Sequence, residues 1–161
     1  MRRLLLVDDE QNVLNALVRT IRAGLGDAAP ELITYTDPYE ALKRCNVEHF
    51  DVVVSDFRMP RMTGVEFLQV LKEIAPDTVR IILSASTEFD TVRAAINDAG
   101  VYRFISKPWQ QDDLLRQIEE AFALREAANP PDPNEAELRR LEQDEPGLTK
   151  VKWGPNGEII L

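Results

Sequence analysis

From Arg3 to about Glu126 the chain alternates short apolar runs with amphipathic segments. Leu4-Leu5-Leu6-Val7 and Val52-Val53-Val54 carry no polar interruption. Such runs suit strands buried on both faces of a parallel sheet, where neither side meets water. The pattern predicts strands at Arg3–Val7, Glu31–Tyr35, Asp51–Ser55, Val79–Ser84 and Val101–Ile105. Between them, apolar residues recur at helical spacing. Val13, Leu14, Leu17, Val18 and Ile21 mark a first helix. Asp37-Pro38 supplies an N-cap and a first-turn proline ahead of Ala41, Leu42 and Cys45. Thr63 with Glu66 forms a capping box before Val65, Phe67, Leu68, Val70 and Leu71. Val92, Ala95, Ile96 and Ala99 mark a fourth helix closed by Gly100, and Leu114, Leu115, Ile118, Ala121 and Phe122 a fifth. Strands and helices in strict alternation argue for an α/β fold: a five-stranded parallel sheet with helices on both faces and right-handed crossovers.

The pattern changes after residue 128. Asn129-Pro130-Pro131-Asp132-Pro133 reads as a stiff linker, residues 129–133. Beyond it, residues 134–161 read as an extension of one helix and one hairpin. Asn134 and Glu137 cap a helix running to about Asp144, with only Ala136, Leu138 and Leu141 as apolar content. Gly154-Pro155-Asn156-Gly157 suits a type I turn between two short strands. An isolated two-stranded hairpin is scarcely stable in water, so Val151, Trp153, Ile159, Ile160 and Leu161 call for a covering surface. That surface is either the chain's own first domain or another chain.

Composition narrows the function. Apolar and charged fractions of 44% and 29% are those of an ordinary globular protein. No apolar run approaches the roughly 20 residues of a membrane span. The apolar stretch after Met1-Arg2-Arg3 is too short for a signal peptide and runs into acids, so the expectation is a cytoplasmic protein. The single Cys45 has no internal disulfide partner and reads as a structural thiol in a helix. A net charge of −9 without a basic stripe argues against direct binding to nucleic acid.

Chemistry gathers at the carboxyl ends of the predicted strands, where open α/β sheets bind ligands. Asp8-Asp9, Asp56, Ser84 and Lys107 all fall there. Each has a plainer reading alone: a helix cap, a turn residue, a solvated lysine. As a set they cohere. Two buried strands emptying into acids collect like charge that a cation would offset. Hard oxygen ligands suit Mg²⁺. A carboxylate beside that ion can attack a phosphoryl group, with a lysine and a hydroxyl to stabilise the transferring oxygens.

The strings LLLVDDE, VVVSDFRMPRMTG, IILSAS and FISKPW, in that order, resemble the receiver domain of bacterial two-component response regulators over residues 1–128. The resemblance implies a flavodoxin-like sheet of order 2-1-3-4-5. It implies Asp56 as phospho-acceptor, and Mg²⁺ held by Asp8, Asp9, Asp56 and the backbone carbonyl of Arg58. Ser84 resembles the switch hydroxyl, Lys107 the phosphate-pairing lysine before a cis Pro108, and Phe104 the aromatic that turns inward on activation. Arg58 and Ser86 match positions that tune acyl-phosphate lifetime. The implied partner is a sensor histidine kinase or a phosphotransfer protein. The chain would catalyse only its own phosphotransfer and autodephosphorylation.

The output depends on the rest of the chain. YRFISKPW resembles receivers placed ahead of cyclic-dinucleotide phosphodiesterases, yet only about 35 residues remain after the fifth helix. The expectation is a switched interaction module, dimerising through the tail or through the face of the fourth helix, fifth strand and fifth helix. The alternative is a phosphate shuttle or sink. A haloacid dehalogenase-type phosphohydrolase would need Asp-x-Asp after the first strand, which Asp8-Asp9-Glu10 does not supply. A flavin site would need a Ser/Thr/Gly-rich phosphate loop at the same place.

Overall fold

The computed structural model describes residues 2–85, 90, 93 and 99–128, and the backbone of 152–153 and 159–160. The chain divides into two compact units, Met1–Ala128 and Asn129–Leu161. In the first, the elements are β1 (Arg3–Val7), α1 (Gln11–Leu25), β2 (Glu31–Tyr35), α2 (Pro38–Val47), β3 (Val52–Asp56), α3 (Gly64–Ile74), β4 (Val79–Ala85), β5 (Arg103–Lys107) and α4 (Gln111–Ala128). The strands form one parallel sheet of order β2-β1-β3-β4-β5. Helix α4 is the fifth helix expected from the sequence. Val92, Ala95 and Ile96 of the expected fourth helix lie outside the described residues.

Period-two alternation sorts the strand side chains onto two faces. Leu4, Leu6, Val52, Val54, Ile81, Leu83 and Ile105 pack with Leu14, Leu17 and Ile21 of α1 and Leu114, Ile118 and Phe122 of α4. Leu5, Val7, Val53 and Ile82 pack the other way, with Ala41 and Cys45 of α2 and Phe67, Leu68 and Leu71 of α3. The central strand β3 is buried along its whole length, which is why its sequence shows no polar alternation. Cys45 is buried, and burial pushes its thiol up to about 11, which keeps it protonated.

Helix starts follow the sequence. Asp37 caps α2 by accepting a bond from the Tyr39 N–H, and the Thr63/Glu66 capping box is complete at α3. Three strands differ from expectation in their limits: β3 spans Val52–Asp56 instead of Asp51–Ser55, β4 ends at Ala85 instead of Ser84, and β5 spans Arg103–Lys107 instead of Val101–Ile105. Strand β3 ends on Asp56 because Phe57 N–H donates to the Leu83 carbonyl, carrying the ladder past Ser55. Strand β4 reaches Ala85 because Lys107 pairs with it. Strand β5 begins at Arg103, not Val101. Val101 is buried in the approach to the strand, so its apolar character reports core packing and not pairing.

At the end of the sheet opposite the acids, Arg3, the first residue of β1, links neighbouring segments. Its guanidinium meets Glu31 at 3.1 Å, Glu48 at 2.6 Å and the His49 carbonyl at 2.9 Å, and lies 4.6 Å over the Phe50 ring. Its backbone N–H donates to Asp51 Oδ2 at 2.9 Å. In the second unit, β6 (Lys152–Trp153) and β7 (Ile159–Ile160) pair antiparallel, with Trp153 opposite Ile159. The expected linker at 129–133, the helix from Asn134 to Asp144 and the turn at Gly154-Pro155-Asn156-Gly157 lie outside the described residues. No helix among the described residues is long and apolar enough to cross a membrane.

One glycine is demanded by close approach. A Cβ on Gly64 would sit 2.1 Å from the backbone oxygen of Asp56, and backbone cannot swing aside. Gly64→Ala is expected to lower stability by about 1–3 kcal/mol. The check is a urea unfolding curve, whose midpoint should fall with its slope unchanged.

Candidate functional site

Strands β1 and β3 are neighbours in the sheet, so the residues at their carboxyl ends meet. Asp8 N–H donates to the Tyr35 carbonyl, which extends the β1–β2 ladder by one residue and fixes where Asp8 points. Its carboxylate is fully buried. Oδ1 accepts from the Glu10 N–H at 2.9 Å and Oδ2 from Lys107 Nζ at 3.1 Å. Asp56, the last residue of β3, is 7% exposed and accepts from the same Nζ through Oδ1 at 2.8 Å. Asp9 lies exposed at the rim. One carboxylate oxygen from each of Asp8, Asp9 and Asp56 lies within 4.8 Å of the others.

The electrostatics follow from the crowding. Burial pushes the Asp56 carboxyl up to about 6; the Lys107 hydrogen bond opposes this and the Asp8 charge adds to it. Burial also raises Asp8, against the bonds from Glu10 and Lys107. For Lys107, burial works to lower the ammonium, but its bonds to Asp56 and Asp8 prevail and raise it. A single ammonium thus serves two buried carboxylates, with a third beside them. Three hard oxygen donors and an uncompensated negative charge fit a divalent cation.

The loop after β3 is held at several points. Gly64 N–H donates to the Phe57 carbonyl at 2.8 Å, while Phe57 N–H is tied to Leu83 at 3.0 Å. Arg61 reaches back to the α2 cap, pairing with Asp37 Oδ2 at 2.8 Å and lying 4.7 Å over the Tyr39 ring. Arg58 sits exposed inside this pinned loop, its guanidinium 5.6 Å from the Phe57 ring centre. Ser84 is buried near the end of β4, opposite Ser106 of β5. No hydrogen bond among the described residues joins Ser84 to Asp56. Phe104 is partly buried opposite Ile82, against the core on the α2 and α3 side. The Lys107–Pro108 bond is cis, and Trp109 Nε1 donates to Thr20 Oγ1 at 3.4 Å, tying the loop after β5 to α1.

The fold therefore brings Asp8, Asp9, Asp56 and Lys107 into one cluster, with Ser84 at the adjacent strand end. Neither Asp8 nor Asp9 caps α1; Glu10 holds the N-cap position without a side-chain bond. Three contributors escaped the sequence reading: the Glu10 N–H, the Asp37–Arg61 pair and Gly64. Only Gly64 left a signal, as the glycine opening a capped helix just after the acid.

The response regulator receiver domain family matches residues 4–119. The hydrogenase transcriptional regulatory protein HoxA of Bradyrhizobium diazoefficiens is 36% identical over 121 residues, which is 75% of this chain and 24% of that protein. The chain spans about a quarter of the length of the curated relatives it matches first. An uncharacterized protein from Neptuniibacter caesariensis has a solved structure that matches with a TM-score of 0.74 at 32% identity, over 81% of this chain and 96% of that one. The signal receiver domain of an HD domain-containing protein from Pseudomonas fluorescens Pf-5 matches with a TM-score of 0.73 at 27% identity, over 81% and 93%.

The raised Asp56 carboxyl makes a pH prediction. An acid whose folded value lies above its unfolded one, near 3.8, holds its proton more tightly in the folded state. Its contribution therefore favours the fold at low pH and is lost as pH rises from about 4 through about 6. In EDTA, Asp56→Asn is expected to remove that loss and to gain on the order of 2 kcal/mol over the parent at neutral pH. Urea melts of both proteins across this range check it: curves that stay parallel would refute the assignment.

Proposed function

The chain belongs to the response regulator receiver domain family, and on that footing we propose that it accepts a phosphoryl group on Asp56 from a histidine kinase or phosphotransfer protein. The observation that carries this reading is the bridge from one Lys107 ammonium to the buried carboxylates of Asp8 and Asp56. In the transfer, an Asp56 carboxylate oxygen forms a bond to phosphorus. The phosphorus–nitrogen bond of the donor phosphohistidine breaks, and the imidazole leaves with its electron pair and takes a proton. Mg²⁺, when bound by Asp8, Asp9, Asp56 and the Arg58 carbonyl, supplies positive charge against the carboxylates and the phosphoryl oxygens.

Lys107 is already within hydrogen-bond reach of Asp56 and needs little rearrangement to pair with the incoming oxygens. Ser84 is the switch hydroxyl in this proposal: it has no bond to Asp56 at rest and gains one to the phosphoryl group. Phe104 then turns toward the space Ser84 vacates. Two states a few kcal/mol apart suffice for such a switch. A phosphohydrolase working from the end of β1 is disfavoured, because Asp8 is fully buried with an oxygen committed to Glu10 and another to Lys107.

The output we propose is a change in protein–protein association, either self-association through residues 134–161 or through the β5 and α4 side of the sheet. A phosphate shuttle or sink is the second reading, favoured if phosphorylation leaves association unchanged. Incubation with phosphoramidate and Mg²⁺ is expected to add one phosphoryl group by intact mass. Asp56→Asn or EDTA should abolish it; label persisting on the Asn variant would place the acceptor elsewhere. Light scattering with Mg²⁺, with and without beryllium trifluoride, then reads the output. A monomer converting to a dimer supports the association switch, and an unchanged molar mass removes self-association from the proposal.

A further inference from the structure

Away from the acids, an open groove of about 710 Å³ runs between α1 and the edge strand β2. Val18 of α1 and Leu32 of β2 form its partly buried apolar floor, with Thr34 beside them. Arg19 and Arg22, one helical turn apart, flank it and are exposed. Neither arginine pairs with a carboxylate among the described residues. In a chain of net charge −9, two neighbouring unpaired guanidiniums are a local reversal of sign.

The backbone of β2 adds a second, independent feature. Glu31 N–H donates to the Arg2 carbonyl, and the Tyr35 carbonyl accepts from Asp8 N–H. Alternation along a parallel strand therefore turns residues 31, 33 and 35 toward β1, and the N–H and C=O groups of Leu32 and Thr34 outward. Strand β2 is the end of the sheet, so among the described residues no neighbouring strand takes those groups. An open edge of this kind is a template for an added strand.

We propose that the α1–β2 groove captures an extended, acidic segment of a partner protein, added as a strand along β2. The Leu32 and Thr34 backbone groups fix the main chain of the guest. Guest side chains alternate, about 6.6 Å apart on one face. One apolar side chain covers Val18 and Leu32, and carboxylates two positions to either side reach Arg19 and Arg22. A small anion would use the guanidiniums but leave the strand edge open, so the edge favours a peptide.

The test uses the whole chain, labelled with ¹⁵N, and the synthetic peptide Thr-Glu-Thr-Val-Thr-Glu-Thr. Expected are amide shifts confined to α1 and β2 and slowed hydrogen exchange at Leu32 and Thr34. Arg19→Glu with Arg22→Glu should weaken binding about tenfold or more. Replacing both peptide glutamates by lysine, or N-methylating the peptide at alternate residues, should abolish it with the protein untouched. Shifts without exchange protection at Leu32 and Thr34 would mean loose charge attraction and would overturn strand addition. Binding of the lysine peptide, or no shifts at all, would overturn the proposal outright.

Discussion

Two buried carboxylates held at the ends of neighbouring strands share a single ammonium. Lys107 meets Asp56 at 2.8 Å and Asp8 at 3.1 Å, and Asp9 brings a further negative charge to the rim. Like charges at this spacing repel strongly in a low dielectric, and one cation cannot neutralise them all. The cluster is kept together by what lies behind it. Strands β1 and β3 carry uninterrupted apolar side chains into cores on both faces of the sheet, so their ends have no freedom to splay. The hydrophobic sandwich thus holds in place an arrangement that its charges oppose.

The two ends of the sheet handle charge in contrasting ways. Around Arg3, every acid has a basic partner and the guanidinium also rests on an aromatic ring. Those groups are largely at the surface, where such pairs add little stability each. Around Asp56 the imbalance is reversed and buried. A group that adds negative oxygens there, or a cation that removes negative charge, acts on an environment with little solvent to blunt its effect.

Much of this was readable from residue order because the determinants are local. Unbroken apolar runs gave the buried strands, helical spacing gave the helices on both sides, and the Asp37 and Thr63 caps marked where two helices start. The position of Asp8, Asp9, Asp56 and Lys107 at strand ends followed from the same pattern. What could not be read depends on contacts between distant segments. Val101 looks like a strand residue because it is apolar, but its burial comes before pairing begins. The Arg61–Asp37 pair joins two loops 24 positions apart; Asp37 is legible as a helix cap, but nothing in either neighbourhood points to the pairing. The sharing of Lys107 between two acids likewise depends on distance, which residue types alone do not supply.

The close seat of Gly64 under the Asp56 carbonyl has a mechanical consequence. The main chain of Asp56 rests against the start of α3 with no room for a methyl group between them, and the Gly64–Phe57 bond anchors the contact again. The Asp56 carboxylate itself meets the long side chain of Lys107, and on the neighbouring strand β4 stands Ser84, with no bond to Asp56 among the described residues. The backbone of Asp56 is thus held stiffly, while its carboxylate meets the free end of a long, flexible side chain. The absence of a single methyl group at residue 64 is what lets the two stretches of main chain close to contact.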